Sequence, residues 1–146
     1  MINKFKFTLI TCLFVIHSSF SFSNEKFFNE GKKKYNEKKY EVSKFLFQRS
    51  IVFDPKYINS YLYLAKIYNI EENRIEEEKN VNTVLLLDSQ NEEAMYMLIE
   101  IELKKSNYSK VKELTEKFIK VCKNFCDKEK SILDSLKNLE PKNESE

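Results

Sequence analysis

Glycine is almost missing from this chain: Gly31 is the only one in 146 residues, and Pro55 and Pro141 are the only prolines. A β-rich domain of this size turns often and draws on both residue types, so their scarcity argues against one. A chain with a single glycine also has no loop to cradle phosphates. Histidine is equally scarce. His17 stands alone in the first two dozen residues, so nothing beyond them can build a His-based acid–base pair or triad. Tryptophan is absent, and alanine occurs only at Ala65 and Ala94. Lysine, asparagine and isoleucine abound instead, the pattern of an AT-rich coding sequence. Few breakers with many Lys, Glu and Leu residues point to an all-α chain.

Residues 1–23 read as a secretory signal peptide. Lys4 and Lys6 give a basic start with no acid, Phe7 to Ile16 form a mostly apolar core, and Ser21-Phe22-Ser23 supplies a small-x-small exit. That core falls well short of the ~20 residues that cross a bilayer, and His17-Ser18-Ser19 interrupts it. An uncleaved N-terminal anchor is the alternative. Cys12 lacks the Gly or Ala that usually precedes an acylated cysteine, and the apolar run continues past it, so lipidation there is not expected. Cleavage near Ser23 would leave one domain-sized chain. It would carry 23 basic and 23 acidic residues, a balance that argues against nucleic acid as the main partner. The charges are nonetheless segregated. Residues 26–44 hold seven Lys against three Glu, residues 71–102 ten acids against two bases, and residues 104–142 eleven Lys against six acids. Solvated helix faces account for this, and a surface that steers a partner is the sharper reading.

The sequence repeats at a spacing of 34. Asp54 maps onto Asp88, Leu64 onto Leu98, and Tyr40 through Arg74 onto Tyr108. Ile51, Leu85 and Ile119 share one slot; Ser50, Val84 and Phe118 another; Gly31, Ala65 and Ile99 a third; Phe27, Tyr61 and Met95 a fourth. On these residues the chain resembles the tetratricopeptide repeat family, whose unit is two antiparallel helices. The resemblance gives copies at 24–57, 58–91 and 92–125. Phe27 and Gly31 stand in helix A of the first copy, Tyr40 in its turn, Ser43 and Phe47 in helix B, and Asp54-Pro55 at its exit. The second copy carries Tyr61-x-x-Leu64-Ala65-x-x-Tyr68, and the third keeps Leu98, Tyr108, Val111, Phe118 and Ile119. Departures fall at Glu30 and Lys34, at Arg74 and Glu77, and at Ile99 and Glu102.

The apolar spacing agrees independently. Tyr61, Leu64, Ala65 and Tyr68 lie on one helical face, and Val81, Val84 and Leu85 on another. A small residue at 31 or 65 lets two helices approach closely. The last hairpin needs a cap, which Ile132, Leu133, Leu136 and Leu139 supply within 126–139, ahead of a disordered tail at 140–146. The expected fold is therefore three stacked helix hairpins in a right-handed solenoid, plus a capping helix.

No catalytic constellation is present, and no cofactor or metal is expected. Glu76-Glu77-Glu78 is most simply a solvated face. Cys122 and Cys126, the only cysteines after cleavage, could form a disulfide if their Cα atoms lie within about 7 Å. Free thiols are the next reading; two ligands are too few for a zinc site, and three intervening residues weaken a redox motif. Binding is what such a fold leaves. The resemblance implies a concave groove lined by Glu25, Phe28, Lys32, Tyr35 and Asn36 in copy one. Copy two would add Asn59, Leu62, Lys66 and Asn69, and copy three Glu93, Tyr96, Glu100 and Leu103. A variant of the family clamps a terminal carboxylate with Lys and Asn, but Phe28, Tyr63, Glu93 and Met97 fill most of those slots here. The expectation is an exported scaffold of a bacterial envelope that holds a protein or peptide segment, without nucleic acid. Its alternatives are a thiol-active factor using Cys122 and Cys126, a membrane-tethered subunit, and self-association through exposed flanks.

Overall fold

The helix-forming composition is realised: the computed structural model, which describes residues 24–140, is all-α. The expected leader with its expected cleavage site, and all of the expected tail but Glu140, lie outside the described residues. Helix α1 occupies 24–36. It is followed by α2 (Tyr40–Phe53), α3 (Ile58–Ile70), α4 (Arg74–Leu87), α5 (Glu92–Lys104) and α6 (Tyr108–Val121). A 3₁₀ turn at Cys126–Lys128 then leads into α7 (Glu129–Leu139).

The 34-residue period is written into the backbone. Among the described residues, the non-glycine ones with left-handed φ are Lys38 (58°), Glu72 (56°) and Ser106 (56°), each 34 positions after the last. Each sits in a short turn and is followed by a residue with φ near −85° that begins the next helix: Lys39, Asn73 and Asn107. The helix exits recur as well. Asp54 and Asp88 have φ/ψ of −141°/95° and −143°/93°, and each donates its N–H to the carbonyl four residues back. Their carboxylates accept from the backbone N–H two residues on, at Lys56 and at Gln90. Such Asx turns need an Asp but no proline, which is why Pro55 has Ser89 as its counterpart. Pro55 is a turn residue whose carbonyl accepts from the Tyr61 hydroxyl at 3.0 Å.

The described residues divide into two units, 24–67 and 68–140. In the first, α1 and α2 run antiparallel. Ser43 near the start of α2 donates to the carbonyl of Gly31 at 2.8 Å, and Ser50 near its end donates to that of Asn24 at 3.0 Å. The order of contacts along one helix is reversed on the other. Asn24 also donates through its side chain to Asp54, tying the first described turn of α1 to the exit of α2. Gly31 lies under the fully buried Phe47, and a Cβ there would fall 2.8 Å from the ring. Around Phe47 the core is aromatic: Phe28 meets Phe47, Tyr57 and Tyr63 at ring distances of 5.7, 5.1 and 5.5 Å.

In the second unit the last turn of α3 pairs with the first of α4, where Asn69 donates to the buried Glu77 at 2.7 Å. Helix α5 packs on α4 and α6. Its inward residues Ala94, Met95, Leu98, Ile99 and Ile101 are buried, as are Val111, Leu114, Thr115 and Phe118 of α6. A buried carboxylate, Glu102, accepts from Asn107 at 2.7 Å and from Lys105 at 3.0 Å, and Lys105 also reaches Glu78 at 2.7 Å. Hydrogen bonding first to Glu78 and then to Glu102 raises the pKa of Lys105. Helix α7 contacts α6 and α5. Of the four apolar residues expected to face inward, Ile132 is buried and Leu136 and Leu139 are half-buried, whereas Leu133 is 42% exposed. Positions 132, 136 and 139 share a face that 133 leaves by a 100° step.

Candidate binding faces

Helix-A positions in the first unit fall into three environments. Glu25, Lys32, Asn36 and Asn59 are exposed. Phe28 and Leu62, expected to line a groove, are buried, Phe28 against the rings of Phe47, Tyr57 and Tyr63. Tyr35 and Lys66 are half-buried and meet around one ring. Tyr35 lies 5.2 Å from Tyr63 edge-on, and the Lys66 ammonium sits 4.7 Å over its face. Tyr63 also contacts Phe28 and Phe47, so the core fixes the ring that holds the two outward groups. The sequence singled out Tyr63 only as a departure from a clamp slot. Its position as the hub was signalled by its place one turn before Lys66.

In the second unit Asn69 is exposed, and Glu93, Tyr96, Glu100 and Leu103 are half-buried along α5. Asn69 is engaged with Glu77. Tyr96 lies 6.5 Å from the Phe118 ring and 6.4 Å from Phe125. Burial, a hydrogen bond to Glu100 and the nearby charges of Glu100 and Asp127 push its phenol up to about 12. At any physiological pH it is a neutral donor held against a carboxylate.

Beside Tyr96 lies the loop between the two cysteines whose pairing the sequence raised, and what residue-by-residue reading missed there is its contact with Glu92. A disulfide joins Cys122 to Cys126, with the Cα atoms 5.3 Å apart. The three N–H groups inside that loop, of Lys123, Asn124 and Phe125, converge on the carboxylate of Glu92 at 2.6, 3.0 and 3.3 Å, and the Asn124 side chain adds a fourth bond at 2.8 Å. Donation from the Lys123 N–H, followed by Asn124 and Phe125, lowers the Glu92 pKa to about 2. Glu92 is the first residue of α5, so one carboxylate anchors the disulfide loop to the start of a helix. No protein-family model matches the chain. No curated protein matches it either. Among the described residues no cluster of three or more His, Cys, Asp or Glu side chains could hold a metal ion, and no helix is long and apolar enough to cross a membrane.

Proposed function

We propose that this is an exported scaffold of the tetratricopeptide type that binds protein or peptide segments through outward residues, those of α1 and α3 in the first unit and those of α5 in the second. The observation that carries the reading is the recurrence of left-handed turns at Lys38, Glu72 and Ser106, in register with the repeated side chains. A recurring hairpin presents the same helix face once per repeat, and repeat proteins bind through such faces. The side chains available there are the Tyr35–Lys66 pair seated on Tyr63 and the Tyr96–Glu100 pair on α5. Aromatic rings with fixed charged neighbours suit a segment with apolar anchors. Phe28, packed against Tyr63, supports the first pair from below. Export, partner identity and an envelope location are parts of the same proposal.

The test is affinity capture from envelope extract with the full chain and with two double variants, Lys66→Ala with Lys32→Glu and Tyr96→Ala with Glu100→Ala. A segment-binding scaffold loses a captured protein in at least one variant while its melting temperature holds. An unchanged set of captured proteins in both would overturn the assignment. Mass measurement with and without reductant separates the thiol-active alternative, because a bridge that survives mild reductant does not cycle.

A further inference from the structure

Unit 24–67 has a second outward face, on the side of α2 away from its aromatic core. Val42, Phe45 and Val52 are 47%, 56% and 75% exposed, and with Arg49 they fall at 42, 45, 49 and 52, one stripe along a helix. Single exposed apolar residues are ordinary, but a contiguous stripe marks a contact surface. Arg49 is fixed within it, its guanidinium 4.8 Å from the Phe27 ring and 5.7 Å from the Phe45 ring. The unit holds ten Lys and Arg residues against five Asp and Glu. The acids near the stripe are already paired: Glu41 with Lys44 at 2.8 Å, and Glu37 with Lys39 at 2.9 Å and Lys34 at 3.2 Å. Lys38 and Lys39 stand exposed at the end of α2 from which the stripe starts.

We propose that this face of α2 docks on an anionic lipid surface, with Phe45, Val42 and Val52 entering the headgroup boundary and Arg49 and Lys38 meeting phosphates. An apolar stripe with a cationic margin is the arrangement of helices that lie in a membrane interface. Three apolar side chains fall far short of the roughly 800 Å² per partner of a stable protein interface, and a second copy would bring another Arg49 and the same net positive charge. The inference is independent of the groove reading, since it uses a different face.

The chain lacks tryptophan, so Val52→Trp places a sole reporter on the stripe and Ile119→Trp places one on α6 as a control. Each is made in the full chain and mixed with vesicles of phosphatidylcholine alone or with one quarter phosphatidylglycerol. The local reporter matters because Phe7 to Ile16 could carry the chain to a bilayer unaided. The expected result is a blue shift at position 52, not at 119, on the phosphatidylglycerol vesicles, abolished by adding Phe45→Asp. Each basic residue near an anionic surface contributes about fivefold to partition, so Lys38→Glu and Arg49→Glu together should lower binding by at least about twenty-fivefold. No shift at 52, equal shifts at both positions or on both vesicles, or a shift seen only with a protein partner would each overturn the proposal.

Discussion

Gly31 shows how one missing methyl group fixes the spacing of two helices. A Cβ there meets Phe47 Cε1 at 2.8 Å and Leu46 Cβ at 3.3 Å, so Gly31→Ala must push a fully buried ring. The substitution gains about 1 kcal/mol of helix propensity, against the roughly 1–3 kcal/mol cost of overpacking a core. The expected outcome is a net loss, read by thermal melting, that Phe47→Leu in the same chain partly restores. Sixteen positions on, the bulk is inverted: Gly31 is followed by Phe47, and the buried Ile99 by the buried Thr115. Ile99 thus departs from the small residues at 31 and 65, with a smaller residue than Phe47 at the register-matched position. Glu92 is the other residue with a single decisive role. Its pKa is depressed from 4.5 to about 2, so its contribution is fully present above about 4.5 and is lost as pH falls through about 2. Glu113, lowered to about 2 by Lys117 and Lys110, titrates over the same range. Glu92→Gln should therefore remove part, not all, of the acid-induced loss of stability, and a carboxyl-resolved NMR titration identifies the share that disappears.

Helix ends were the least legible elements. Asn73, Asn91 and Asn107 each cap a helix by accepting the N–H three residues on, at 3.3, 3.0 and 3.3 Å. In a chain full of asparagine such caps do not stand out by composition. Helix interiors were readable, because Leu64, Ala65, Leu98 and Val84 keep their spacing and their burial. The buried carboxylates were hidden by their own chemistry. Glu77 and Glu102 look like solvated acids until the asparagines that satisfy them, Asn69 and Asn107, are placed by the turns. The candidate faces were partly legible for the same reason: helical spacing selects a side, but only packing decides that Phe28 is interior and Tyr35 is not. The disulfide belongs to this scale, since it closes the link between α6 and α7. Its loop is short, and opening it by Cys122→Ser with Cys126→Ser should cost about 2 kcal/mol. Because Glu92 draws on N–H groups inside that loop, hydrogen exchange at Lys123, Asn124 and Phe125 should accelerate in the variant before exchange in α5 does.

For the molecule as a whole, the period is the organising quantity. Helices α2, α4 and α6 each span 14 residues and begin 34 positions apart, at Tyr40, Arg74 and Tyr108. Duplicating residues 58–91 directly after Asn91 should therefore preserve cooperative melting and raise far-UV helical signal in proportion to length, whereas an insertion four residues shorter should broaden the transition. The positions that mark the period are not ones a designer would choose. Left-handed φ costs a residue with a Cβ about 1–2 kcal/mol, yet lysine, glutamate and serine occupy it here. Glycine at 38, 72 or 106 should raise stability by about 1 kcal/mol or less, after its own entropy is counted. With three near-identical turns in one polypeptide, the molecule contains its own replicates. The mean of the three substitutions measures the bend, and the scatter among them measures the neighbours.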